Sequence, residues 1–200
     1  MTSPGQGRRL PVKAYRDVDF LTSQKARTLR ILAEYLEPEA RFERKGVDKT
    51  VVFFGSARAR CEQDAGGRSV GLNISLPHEQ DPNPYITEEP NVEFHCFFMR
   101  KLWFVQMAVG LVVFPGGFGT LDELAEVLTL IQTGRSQPMP IIVYGSEFWD
   151  DVIDFDALLR WGTISPEDLG LFHRCDTPEE AFACLKEHLV PLLEEDSVSG

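Results

Sequence analysis

The hydrophobic pattern along the chain alternates between two kinds of segment. Short continuous apolar runs stop at glycine or proline, and longer stretches repeat their apolar positions at helical spacing. Val51-Val52-Phe53-Phe54 ends at Gly55-Ser56, Leu111-Val112-Val113-Phe114 at Pro115-Gly116-Gly117, and Ile141-Ile142-Val143-Tyr144 at Gly145. Continuous β-branched and aromatic runs of this length are those of strands buried on both faces. Ser69 to Ile74 is read as a further strand. Between them the spacing predicts helices over Phe20 to Tyr35, closed by Pro38, and over Phe94 to Met107. Thr120 to Thr133 is another, with Gly134 at a left-handed C-terminal cap, followed by Phe148 to Trp161. A last helix opens at Thr177, where Thr-Pro-Glu-Glu supplies an N-cap hydroxyl, an N1 proline and Glu180 for a capping box. Strand and helix in alternation predict an α/β fold: a Rossmann-like, doubly wound, mostly parallel sheet with helices on both faces. Its ligand crevice lies beyond the carboxyl ends of the strands.

Composition narrows the setting. The 200 residues are 43% apolar and 26% charged, which suits one globular domain. We expect a loose arm over residues 1–17, a domain over 18–195 and a flexible tail over 196–200. The net charge of −11 opposes a phosphate backbone, so nucleic acid is not an expected partner. The longest apolar stretch, Leu102 to Phe114, is interrupted by Gln106 and Gly110 and is too short for a bilayer, so no membrane partner is expected. The polar start has no secretory core, and a cytoplasmic protein is expected. Cys61, Cys96, Cys175 and Cys184 form no close pair, which argues against a zinc site and against disulfides. No metal and no cofactor is expected.

The chemistry concentrates where the third strand meets its helix, at Pro115-Gly116-Gly117-Phe118-Gly119-Thr120-Leu121-Asp122-Glu123. Three glycines in four positions allow positive φ and close approach of an anion to free N–H groups at a helix start. The segment is neither a Walker A loop nor the dinucleotide Gly-x-Gly-x-x-Gly. Thr120 and Glu123 also stand at the spacing of a plain capping box, a second account of the same residues. Met99-Arg100-Lys101, on the helix that feeds the same strand, brings two cations towards the crevice. Lys101 can contact a phosphorylated ligand or stand solvated on its helix.

Arg100-Lys101 followed by Pro-Gly-Gly-Phe-Gly-Thr-Leu-Asp-Glu resembles the signature of the Lonely Guy (LOG) family. Its members are cytokinin-riboside 5′-monophosphate phosphoribohydrolases often labelled as lysine decarboxylases. The resemblance runs from about Val51 to the C-terminus. It implies a Rossmann-like homodimer that hydrolyses the N-glycosidic bond of a nucleoside 5′-monophosphate, AMP or a cytokinin riboside monophosphate, to free base and ribose 5-phosphate. Arg100 and Glu123 would be the catalytic pair. Gly116, Gly117, Gly119 and Thr120, with Met99, Lys101 and Ser56 beside them, would form the substrate and phosphate site. The chemistry suits these types independently: a carboxylate can stabilise an oxocarbenium-like ribose or deprotonate water, and an arginine can hold the anionic substrate. A pyridoxal-dependent decarboxylase fits poorly, because none of the six lysines stands in a recognisable cofactor context.

The sequence departs from the family at one place. Its usual helix, strand and Gly-Gly-Gly-x-x-Gly-x-Met loop are missing between the first strand and Ser69 to Ile74. Only Ser56 to Gly67 remain, which we read as an internal deletion leaving either a gap or a closed-up sheet. Direct pairing would make Ala57 to Ala65 the crossover helix and Gly66-Gly67 its exit. The missing loop helps shape the pocket, so weak or absent hydrolysis is expected. Non-catalytic binding of a nucleotide or molybdenum cofactor, or a degenerate paralogue, are the alternatives. Asn73, Pro77, His78, Asn83 and Tyr85 are candidates for reaching the base. His95 is expected as a helix residue facing the interior or the dimer partner, and His173 and His188 have no partner in the sequence that singles them out.

Overall fold

A computed structural model describes residues 12–55, 70–74 and 91–199. After a 3-10 turn at Ala14–Arg16 come α1 (Val18–Thr22) and α2 (Arg27–Lys45), then β1 (Thr50–Phe54), β2 (Leu72–Ile74) and β3 (Val92–Phe94). The unit α3 (Phe97–Met107), β4 (Ala108–Val113), α4 (Phe118–Gln132) follows. The chain continues through β5 (Ile141–Tyr144), α5 (Ser146–Val152), α6 (Phe155–Arg160), β6 (His173–Cys175) and α7 (Pro178–Ser199).

The main sheet has the order β1-β4-β5-β6 with every pairing parallel. One face buries Val52, Phe54, Leu111, Val113, Ile141 and Val143 against Leu124 and Val127 of α4 and Trp149 of α5. The other buries Val112 and Ile142 against Ala181 of α7. Helices therefore cover both faces, and the Rossmann-like α/β fold read from the continuous apolar runs is the observed one. A separate core of Phe42, Val92, Phe94, Met99, Trp103 and Met107 joins α2, β3 and α3.

Several boundaries differ from expectation, each for a local reason. Pro38 does not end its helix but lies buried inside α2, which runs on to the left-handed cap at Gly46. A proline at this position leaves the carbonyl of Glu34 without its helical donor. The indole N–H of Trp103 supplies the replacement, donating to that carbonyl at 3.2 Å. The same residue's carboxylate accepts the backbone N–H groups of His95 (3.2 Å) and Cys96 (2.9 Å), so Glu34 holds α3 at its start through the carboxylate and at Trp103 through the carbonyl. Phe94, expected as the first residue of that helix, belongs instead to β3, whose three residues alternate buried and exposed. The single helix expected over Phe148 to Trp161 is broken at extended Ile153, where the Asp154 carboxylate caps α6 by accepting the N–H of Ala157 at 2.7 Å. At the C-terminus α7 keeps helical backbone through Ser199, into the stretch expected as a tail. Its start matches expectation: Thr177 Oγ1 accepts the N–H of Glu180, whose carboxylate accepts those of Asp176 and Thr177.

The closed-up sheet is not seen. The strand expected over Ser69 to Ile74 is only Leu72–Ile74, and it pairs with β3 in a second, two-stranded parallel sheet rather than with β1. Among the described residues β1 is bonded to β4 alone. Its Phe53 is 62% exposed. Ser56 to Gly67, the expected crossover, lies outside the described residues.

Candidate functional site

The segment joining β4 to α4 lies beyond the carboxyl end of a strand hydrogen-bonded on both sides. Helix α4 begins at Phe118 with Gly117 as its N-cap, and no side chain caps it. The N–H of Leu121 donates to Gly117 O at 3.1 Å, whereas among the described residues the N–H groups of Phe118, Gly119 and Thr120 have no acceptor. Gly117, Phe118 and Gly119 are exposed, and nothing stands within 4 Å of where a Cβ would project from either glycine. Three unpaired donors thus stand at the positive end of a 15-residue helix, with Phe118 and Gly119 exposed to open space and Thr120 buried behind them.

The glycines act differently from expectation. None of Gly116, Gly117 and Gly119 has a positive φ. Gly116 is needed for close approach: a Cβ there would lie 2.1 Å from Thr120 Oγ1 and 2.7 Å from Thr120 Cβ. Thr120 is buried beneath this turn, two residues inside the helix start, and does not serve as its N-cap. The capping-box account therefore fails, and Glu123 is free of it.

Glu123 points instead at α3. Its Oε1 accepts from Arg100 Nη2 at 2.7 Å, with 18% of the arginine side chain and 11% of the glutamate side chain exposed. The guanidinium is held over Phe97 at 4.8 Å and Phe104 at 5.3 Å from the ring centroids. Its Nε is buried with no hydrogen-bond partner. Burial pushes the Glu123 carboxyl up to about 7; Arg100 and Lys101 oppose the rise, and Asp122 and Glu126 add to it. A carboxyl group poised near neutrality can exchange protons in either direction, as general acid–base chemistry requires.

Lys101 does not stand solvated on its helix. Its ammonium bridges Asp122 (2.7 Å) and Glu126 (2.9 Å) on α4, clamping α3 to α4. Burial alone would lower its pKa, but the hydrogen bonds to these two carboxylates raise it. A lysine that forms a Schiff base needs the opposite shift. Met99, on the same turn, has its side chain in the α2–α3 core. Ser56 lies outside the described residues, as do Pro77, His78, Asn83 and Tyr85, while Asn73 sits in β2 opposite Glu93. Sequence reasoning took Phe97 and Phe104 as apolar bulk for a dimer face and did not connect them with Arg100, although they stand three before and four after it, the spacing that brings side chains together on a helix. It also left His173 and His188 without partners, yet their rings lie 5.0 Å apart.

Fold and site together define a Rossmann-like α/β protein with an exposed glycine-rich helix start beside a buried Arg–Glu pair. The chain belongs to the family described as "Possible lysine decarboxylase", whose model matches residues 56–185. It is 27% identical over 130 residues to the cytokinin riboside 5′-monophosphate phosphoribohydrolase LOG of Oryza sativa subsp. japonica, a match covering 63% of this chain and 52% of that protein. It is 32% identical over 84 residues to the pyrimidine/purine nucleotide 5′-monophosphate nucleosidase of Escherichia coli K12, covering 39% of this chain and 17% of that protein. The chain thus spans about half or less of the curated relatives it matches. These relatives agree with the resemblance carried by Arg100-Lys101 and Pro115 to Glu123.

The pH dependence of stability tests the electrostatics of Glu123. Its folded pKa of about 7 lies above the unfolded value, so the folded chain holds the proton more tightly. That contribution is fully present below about pH 4.5 and is lost as pH rises through about 7, a change on the order of 3 kcal/mol. Urea unfolding of the wild type and Glu123→Gln should show the wild type losing stability relative to the variant between about pH 5 and pH 8. A difference that stays flat over this range would mean that Glu123 titrates at its ordinary value.

Proposed function

We propose that this chain is a nucleoside 5′-monophosphate phosphoribohydrolase, cleaving the N-glycosidic bond with water to give a free base and ribose 5-phosphate. The observation that carries the reading is the buried Arg100–Glu123 pair beside unpaired N–H groups at the start of α4. The 5′-phosphate would accept from the N–H groups of Phe118, Gly119 and Thr120, with Gly116 and Thr120 shaping the turn and Gly117 and Gly119 leaving room for the anion. Glu123 as carboxylate would stabilise the oxocarbenium-like ribose or take a proton from the attacking water. Arg100 would hold the substrate and the charge leaving with the base; it is too basic for a general acid. Lys101 acts by holding α3 against α4, and Met99 by packing. The names of the rice and Escherichia coli relatives support the substrate class. AMP and a cytoplasmic setting complete the reading. Absence of the second glycine-rich loop from the sequence leads us to expect weak turnover.

Incubation of the purified chain with AMP should release adenine, and Glu123→Gln should lower kcat by about 100-fold or more. Arg100→Ala should lower kcat and also weaken AMP binding. Thermal stabilisation by AMP without adenine release would replace turnover by binding alone. Wild-type rates in Glu123→Gln would remove this residue from the mechanism.

The reading includes a homodimer. Of the aromatic bulk on α3, Trp103 and Phe104 are used in the cores, but Phe97, Phe98 and Leu102 are 45%, 51% and 42% exposed. Phe98 and Leu102 stand one turn apart and would be covered by a second copy. Light scattering should give twice the 22.6 kDa chain mass, and Phe98→Asp with Leu102→Asp should give the single mass. A wild-type mass of one chain at micromolar concentration would reject the dimer.

A further inference from the structure

A second cluster of reactive side chains lies away from the glycine-rich turn. His173 opens β6, whereas Cys184 and His188 stand four residues apart on α7, which packs on the face of the sheet that buries Cys175. A ring nitrogen of each histidine and the Cys184 Sγ all lie within 4.8 Å of one another. Parallel pairing of β6 with β5 sets His173 towards the amino ends of the strands, opposite the end that carries Gly116 to Glu123.

Three features give this cluster the character of a ligand set. Cys184 is a free thiol. The Nδ1 of His188 lies 2.8 Å from the backbone carbonyl of Cys184. A carbonyl can only accept, so Nδ1 carries the proton and Nε2 keeps its lone pair, the same outer contact that orients histidines in metal sites. Third, the residues come from two elements held by core packing, β6 and α7, so the cluster needs no disordered segment to assemble it. A tetrahedral zinc ion with bonds of about 2.0–2.3 Å would draw the three atoms to about 3.5 Å from one another, a closure of roughly 1 Å that side-chain rotation supplies.

We propose that His173, Cys184 and His188 form a His2Cys site for a borderline divalent transition-metal ion of the zinc class. Among the described residues three protein atoms and no fourth ligand are present, so the remaining tetrahedral position is open to water or another exogenous donor. Binding releases the Cys184 thiol proton to solvent and ties the edge strand β6 to α7. The set of one thiolate and two imidazoles favours zinc, cobalt or copper over magnesium or calcium, which take oxygen ligands.

Cobalt(II) added to the chelator-stripped full chain is the probe. One ion per chain should bind, with thiolate-to-cobalt charge-transfer absorption and the intense visible bands of tetrahedral cobalt, and zinc should bleach both. Cys184→Ser should lose the charge-transfer band, and His173→Ala and His188→Ala should each weaken cobalt binding at least tenfold. Cys96→Ser and Cys175→Ser should keep the wild-type spectrum, and far-UV circular dichroism reports whether each variant is folded. If Cys184→Ser fails to fold, the two histidine variants decide by affinity. No charge-transfer band in the wild type, a band that persists in Cys184→Ser, or unchanged affinity in both histidine variants would overturn the site.

Discussion

The pairing of Arg100 with Glu123 is the constraint around which the site is arranged. Two ionisable groups taken out of water cost several kcal/mol each unless they meet in good geometry. Here the contact is 2.7 Å, and Phe97 and Phe104 cover the guanidinium. The compensation is incomplete, since Arg100 Nε stays unpaired and the Glu123 pKa still rises to about 7. A carboxyl group held against its preference in this way is available to chemistry. Lys101, locked between Asp122 and Glu126, holds the same two helices beside the pair.

The rest of the fold fixes the two helices that carry the pair. Helix α3 packs on Tyr35 and Phe42 of α2 and is hydrogen-bonded to Glu34, which accepts the Trp103 indole through its carbonyl and the start of α3 through its carboxylate. Pro38 makes the indole contact possible by removing the competing helical N–H. Helix α4 is set by the turn at Gly116, which exists only because no Cβ intrudes on Thr120. Between the helices runs β4, hydrogen-bonded on both sides. Arg100 and Glu123 are thus brought together within one contiguous helix–strand–helix unit, while β2 and β3 form their own small sheet.

Much of this was legible in the residues. Continuous apolar runs ending in glycine or proline gave away a parallel sheet, and cations and a carboxylate flanking the glycine-rich turn marked the site, while Arg100 and Glu123 were singled out through the resemblance to the LOG signature. What stayed hidden was set by tertiary contact. Nothing local says that Trp103 will satisfy the carbonyl that Pro38 orphans, or that Thr120 will pack under Gly116 rather than cap its helix. The three-residue strands β3 and β6 are too short for periodicity to reveal. Cys184 and His188 share a helix face by spacing alone, but only the packing of α7 on the sheet brings His173 to them.

The central claim is that an anionic substrate binds at the start of α4 in contact with the Arg100–Glu123 pair. Heteronuclear NMR of the full chain during titration with AMP reads both parts at once, through the backbone amides of Phe118, Gly119 and Thr120 and the carboxyl carbon of Glu123. The account predicts that these amides and this carboxyl shift together along one saturating curve. Saturation with AMP that leaves the three amides and the Glu123 carboxyl unmoved, with shifts confined elsewhere, would contradict it.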